Sequence, residues 1–192
     1  MRQSSLNRQT KETDINATLK LDGSGKTKIN TGIGFFDHML TAFAFYAKID
    51  LTIMVKGDLA VDDHHTVEDV GIVIGQLINK SLGDKNGIAR FASTLTPMDD
   101  ALADIALDIS NRPYLTFNAT FTREKIGQLS LENVQEFFYA LMIESRMTCH
   151  INLRYFENNH HAVEAIFKGF GRALNMAKSI TGNTVSSTKG VL

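Results

Sequence analysis

The sequence predicts an α+β fold in which one β-β-α-β-α unit occurs twice, with the helices packed between two sheets. Three observations predict it. HHTVEDVGIVIGQLI at residue 64 returns as HHAVEAIFKGFGRAL at residue 160, an offset of 96 in a chain of 192 residues. Segments that alternate polar and apolar residues, as half-buried strands do, precede each copy. Apolar residues at helical spacing fall at matching places in the two halves. Each unit has a sheet face to bury, and helices placed between the two sheets bury both. The expected organisation is a single compact domain, 1–192, made of two pseudo-repeats, about 1–92 and 93–192.

In the first half, INATLKL (15–21) alternates as a strand, LDGSGK reads as a hairpin turn and KTKIN (26–30) as the returning strand. FFDHMLTAFAFYAK (35–48) has helical spacing, and IDLTIMV (49–55) reads as a strand. His64 to about Ser81 is a second helix, closed by Leu82-Gly83-Asp84. The second half repeats the order. ALADIALDIS (101–110) and YLTFNATF (114–121) are strands around a turn at Asn111-Arg112-Pro113, 130–146 is a helix, CHINLRYF (149–156) a strand and 160–179 a helix.

Composition limits the function classes. The chain is 43% hydrophobic and 21% charged with a net charge of −1, the balance of a globular protein with an adequate core. Such neutrality gives no electrostatic reason to expect nucleic acid or a membrane surface as partner. No run of about 20 apolar residues could span a bilayer, and the polar start lacks the apolar run of a secretory signal. The one cysteine, Cys149, permits no internal disulfide and reads as a small buried hydrophobe. A cytoplasmic location is expected.

The histidines carry the chemistry. Four of the six lie in the duplicated pairs: His64 and His65, His160 and His161. The others are His38, in FFDHML, and His150, on the strand leading to the second pair. In HHxxE on a helix, each histidine lies three or four positions from the glutamate, on a shared face. Adjacent histidines diverge by about 100°, so they suit two ions better than one. With Glu68 and Glu164 the set supplies six imidazoles and two carboxylates, enough for two ions with four protein ligands each. Mixed imidazole and carboxylate ligation suits Mn²⁺, Fe²⁺, Zn²⁺ or Co²⁺. The absence of thiolates argues against structural zinc and favours an open, octahedral-leaning ion such as Mn²⁺. Asp62 or Asp63 could cap the helix, and Asp37 and Asp69 could orient ligand imidazoles.

Arg90, Arg112, Ser186, Ser187 and Lys189 are the anion-binding candidates, because guanidinium forks and lysine ammonium groups are common phosphate partners. Arg90 falls opposite Ser186 at the 96-residue offset. These residues alone leave two readings open: a dinuclear metallohydrolase acting on a phosphate ester, and a metal-binding or storage protein.

The motifs FFDHML, DDHHTVEDVGI, PMDDALA, SNRPYL, NNHHAVEAIFKGFGRAL and SSTKG, in this order from about Thr10 to Leu192, resemble the monofunctional imidazoleglycerol-phosphate dehydratases. The resemblance implies a duplicated fold like domain 2 of ribosomal protein S5, a homo-oligomeric 24-subunit shell and two Mn²⁺ ions per active site. It places metal ligands on His38, His64, His65, Glu68, His150, His160, His161 and Glu164. Phosphate contacts fall on Arg90, Arg112, Ser187 and Lys189, and a substrate-contacting acid on Glu12. The substrate implied is D-erythro-imidazoleglycerol phosphate, dehydrated to imidazoleacetol phosphate through an imidazolate and a diazafulvene-like intermediate. Glu12 is the favoured proton-transfer group, with Glu68 and Glu164 as alternatives. Two departures from the family pattern stand out: Asp100 where glutamate is common, and Asn111 where glycine is common. Neither is expected to touch a metal ligand, and Asn111 bears only on loop geometry at Arg112.

Overall fold

Ile15, Ala17 and Leu19 point one way from their strand and are buried, while the residues between them face water. That alternation sets the plan of the molecule, which the computed structural model describes for residues 2–192; Met1, at the start of the expected first repeat, lies outside them. The first half runs β1 (Gln3–Gln9), β2 (Thr13–Lys20), β3 (Thr27–Asn30), α1 (Gly34–Ala47), β4 (Asp50–Gly57) and α2 (His64–Leu82). The second runs β5 (Phe91–Met98), β6 (Ala101–Asp108), β7 (Tyr114–Asn118), β8 (Lys125–Ile126), β9 (Leu129–Ser130), α3 (Glu132–Ser145), β10 (Thr148–Tyr155) and α4 (Asn159–Ala177). The two large sheets share one topology: β1-β2-β4-β3 and β5-β6-β10-β7, each with its last strand parallel to its neighbour.

The α+β class and the layering agree with expectation; each large sheet carries one strand more, and the second half adds the short β8-β9 ribbon. β1 and β5 are edge strands, paired only with β2 and β6. Gln3–Gln9 is nearly all polar, so it lacks the apolar alternation by which a strand is read. Two expected turns are not hairpins. β4 lies between β2 and β3, and β10 between β6 and β7, so these neighbours in sequence never pair. The loop after β2 is instead tied to β4, where Asp50 Oδ1 accepts hydrogen bonds from the Ser24 and Lys26 amides at 2.8 and 3.0 Å.

α2 lies on β1 and β2, and α4 on β5 and β6; each packs against the first helix of the other half, α2 on α3 and α4 on α1. Six buried phenylalanines, Phe36, Phe43, Phe137, Phe138, Phe167 and Phe170, join the halves. Phe43 stacks on Phe170 at 5.4 Å, and Phe36 meets Phe137 edge-on at 5.3 Å. Close helix approach depends on two repeat-related glycines. A Cβ on Gly75 would sit 2.8 Å from the Leu141 carbonyl oxygen, and one on Gly171 2.7 Å from that of Phe43. Gly75→Ala is therefore expected to destabilise the fold by about 1–3 kcal/mol through overpacking. Urea unfolding measures it, and an unchanged midpoint would refute the close approach.

Candidate metal and phosphate sites

α2 and α4 begin the same way. Asp62 Oδ1 accepts the His64 amide at 2.9 Å and Asn158 Oδ1 that of His160 at 2.8 Å, each satisfying an otherwise unpaired helix N–H. Asp63 instead reaches out to the Ser130 amide and hydroxyl, both at 2.6 Å. Its counterpart Asn159 holds Thr122 in the same manner. Both histidine pairs are thereby presented at helix starts that are anchored to the rest of the chain.

At the start of α4, His160, Glu164 and α1's His38 each offer a ligand atom, all within 4.8 Å of one another. His160 Nε2 lies 3.2 Å and His38 Nε2 3.8 Å from Glu164 Oε2. Lys168 Nζ takes the other oxygen, Oε1, at 2.7 Å. Burial opposes charge on Glu164, but the Lys168 ammonium, backed by His38 and His160, holds its carboxyl below the usual value. The glutamate is thus ionised, with Oε2 turned to two imidazoles, a donor set that fits a divalent transition ion.

The related group on α2 is looser. His64 Nε2 lies 3.7 Å from Glu68 Oε2, and His64 Nδ1 is 3.0 Å from Asn133 Oδ1 on α3. Taking α1 and α3 as equivalent from their first residues, 34 and 132, the place of His38 falls to Glu136, which is half-buried.

His65 and His161 turn away from those groups. His65 Nδ1 lies 2.9 Å from Asp58 Oδ2 and its Nε2 3.7 Å from Glu12 Oε1. His161 Nδ1 bonds Asp100 and its Nε2 lies 3.7 Å from Asp99. The Asp58 and Asp100 bonds, each the largest influence on its ring, raise the pKa of these imidazoles. An Nδ1–H held by a carboxylate leaves Nε2 as the nitrogen available to a metal.

These contacts correct two expectations. Asp100 does touch a proposed ligand, and it also accepts the Glu157 and Asn158 amides, so it fastens the β5–β6 turn to the start of α4. Asp37 and Asp69 do not orient imidazoles. Asp37 binds the Thr31 amide and hydroxyl, whereas Asp69 pairs with Arg8 at 2.5 Å and bonds the Thr13 hydroxyl. Asp69 thus holds the β1–β2 turn that carries Glu12. Within that turn Thr10 Oγ1 accepts the Glu12 and Thr13 amides, both at 3.0 Å.

His150 joins none of these groups. Its neighbours Cys149 and Ile151 are buried beneath the helices, so the alternation of β10 puts His150 on the outer face of its sheet. It lines an open surface there with Phe91, Ser93, Ala106 and Asp108. Burial pushes the Cys149 thiol up, which makes it inert.

The anion candidates do converge. Arg90, Arg112, Ser186, Ser187 and Lys189 line one open cavity of about 580 Å³. Arg90 is buried; its Nε and one terminal nitrogen reach the Asp108 carboxylate at 2.7 and 3.2 Å, and the other terminal nitrogen reaches the Ser186 carbonyl at 2.6 Å. Arg112 is mostly exposed, 3.6 Å from Asp108 Oδ2, and so has donors free for a ligand.

No helix among the described residues is long and apolar enough to cross a membrane. The family model described as Imidazoleglycerol-phosphate dehydratase matches residues 31–174. An imidazoleglycerol-phosphate dehydratase of Clostridioides difficile is 54% identical over 187 residues, 97% of each chain. One of Methanococcoides burtonii is 50% identical over 192 residues and the whole of both chains. Among solved structures, the enzyme from Staphylococcus aureus superposes with TM-score 0.83 at 44% identity, covering 91% of this chain and 97% of that one. The enzyme from Pyrococcus furiosus, in complex with (S)-C348, gives 0.84 at 40%, covering 97% and 100%.

Proposed function

The chain belongs to the imidazoleglycerol-phosphate dehydratase family, lyases of histidine biosynthesis, and from that premise we propose a metal-dependent dehydration of D-erythro-imidazoleglycerol phosphate to imidazoleacetol phosphate. The observation that carries the metal dependence is the convergence of His38, His160 and an ionised Glu164 on one point. His64 and Glu68 are the matching nucleus of a second site, with His65, His161 and His150 as further ligands. Two bound ions, Mn²⁺ by preference, would supply Lewis acidity toward the substrate's imidazole.

The chain's own residues do the rest. Asp58 and Asp100 hold the Nδ1 atoms of His65 and His161 and so set the direction of each Nε2. Glu12 stands beside His65 Nε2, half-exposed, and moves the proton; Glu68 and Glu164 are occupied as ligands. Arg112, Ser187 and Lys189 hold the phosphate against Arg90, which fixes the C-terminal tail through Ser186. Binding energy from the phosphate end then positions the reacting end.

One chain cannot assemble this alone. The Arg90 amide is bonded to the Ala177 carbonyl at the end of α4, whereas His160 stands at its start. At 1.5 Å per residue these points are about 25 Å apart, far more than a three-carbon phosphate ester carrying an imidazole can span. On this reading the phosphate cavity of one copy faces the metal ligands of another, and His150, on the cavity's side of the molecule, would serve an ion held by a second copy. Phe91 and Tyr114, both more than half exposed, lie near His150 and on this reading are covered by that copy. This supports a homo-oligomer, the 24-subunit shell that the resemblance implies, built from single-domain chains of two repeats, about 1–92 and 93–192, in the cytoplasm.

The test is to supply the substrate to metal-loaded protein and follow the ultraviolet absorbance of the enolised ketone alongside free phosphate. Ketone without phosphate release supports the dehydratase; phosphate release would establish the hydrolase. Lys189→Ala is expected to raise KM about tenfold or more with kcat nearly unchanged, by loss of a charge-assisted contact. A metal-storage protein would take up its ions and turn over nothing, with or without Lys189.

A further inference from the structure

The loop from α2 to β5 carries a buried cation that the reaction does not use. Lys85 is 6% exposed, and no carboxylate lies within ion-pair distance of it among the described residues. Its ammonium donates only to two amide oxygens, Asn79 Oδ1 at 3.4 Å and Asn111 Oδ1 at 3.3 Å. Burial, with Arg146 nearby adding like charge, pushes its pKa down. A buried charge held so sparingly is costly.

One of those contacts explains the arrangement. Asn111 has φ +60°, a left-handed conformation that most side chains disfavour and that asparagine adopts more readily when its side chain is hydrogen-bonded, and it immediately precedes Arg112. The Lys85 bond grips the Asn111 side chain and opposes relaxation of that backbone. Arg112 is tied on its other side by its carbonyl, which accepts from the Ser110 and Thr148 hydroxyls at 3.1 and 2.8 Å. The same loop also docks the C-terminal tail. Gly87, at φ +72°, accepts hydrogen bonds from the Thr181 and Gly182 amides and donates to the Thr184 carbonyl. Arg90, at φ +73°, ends the loop. Residues 83–90 therefore touch all three elements of the anion cavity.

We propose that Lys85 is a positioning residue for phosphate binding: its buried ammonium locks Asn111 and so holds the Arg112 guanidinium over the cavity shared with Arg90, Ser187 and Lys189. This rests on the reading of that cavity as the phosphate site. The role is indirect, since Lys85 itself does not line the cavity. A glycine at position 111 would reach φ +60° at no steric cost, so that conformation would depend less on the Lys85 contact.

The experiment measures inorganic phosphate binding by titration calorimetry on the metal-loaded, assembled protein, with steady-state kinetics beside it. Lys85→Met is expected to weaken phosphate about tenfold and raise KM to match, the loss of one hydrogen bond from a charged group, with kcat within twofold. Asn111→Ala, which removes the acceptor at a less buried position, is expected to do the same should Lys85→Met not fold. Adding Asn111→Gly to Lys85→Met is expected to restore affinity. Unchanged phosphate affinity in both single variants would overturn the proposal, as would failure of glycine to rescue, or a fall in kcat with KM unmoved. If the unaltered protein binds no phosphate in competition with substrate, the functional reading fails instead, and the two failures are distinct.

Discussion

Glu12→Gln is expected to lower kcat by about 10²- to 10⁴-fold, the usual contribution of a general acid–base group, while each chain keeps both its ions. The substitution preserves size and the turn around it, since that turn is closed by Thr10 Oγ1 and anchored by Asp69 through Thr13 and Arg8, none of which uses the Glu12 carboxylate. What is lost is the proposed proton carrier, a carboxylate standing 3.7 Å from the Nε2 of His65. Elemental analysis of the purified variant and a turnover assay check it together. Normal turnover would show that the proton moves through another group, Glu68 or Glu164 being next in line. Slow turnover with missing metal would show that Glu12 is a ligand.

Glu164→Gln is expected to remove one of two ions per chain and to reduce turnover by more than about 100-fold, since even groups that only orient ligands cost 10- to 100-fold. A neutral amide offers the ion no charge, and His38 and His160 then lack the carboxylate between them. The change also strands Lys168, which is largely buried and donates to Glu164 at 2.7 Å, so unfolding should occur at a lower temperature. Chelator treatment of the unaltered protein should reproduce the activity loss without the stability loss from Lys168, and returned Mn²⁺ should reverse it. A variant that retains two ions per chain would remove Glu164 from the ligand set.

Much of this was legible along the chain because it follows local rules. The repeated HHxxE motif lies on helices, where spacing in sequence is spacing on a face, so the partnership of His160 with Glu164 and of His64 with Glu68 could be read directly. Strand alternation likewise exposed β2 and β6. The edge strands β1 and β5 were silent, since Gln3–Gln9 has little apolar surface to alternate. Asp58 was silent, and Asp100 was read as touching no ligand, for a different reason. Each acts on a histidine 7 or 61 residues away, across a loop or between a strand turn and a helix, and no spacing rule covers such contacts. The same holds for Asp69, which looked like a companion of the ligands on α2 and instead holds the turn of Glu12.

By itself the sequence determined the α+β class, the duplication and the identity of the chemical groups, because periodicity and residue type are properties of the chain. Only the tertiary structure decided which groups meet. It brought His38 from α1 to His160 and Glu164 on α4, gathered Arg90, Arg112 and Lys189 at the far end of that helix, and set His150 on the outer face of the sheet. The physical reason is that a rigid helix of 19 residues separates the two ends. The anion cavity and the histidine–glutamate group therefore stand at opposite ends of that helix, which is why the proposed function calls on a second copy.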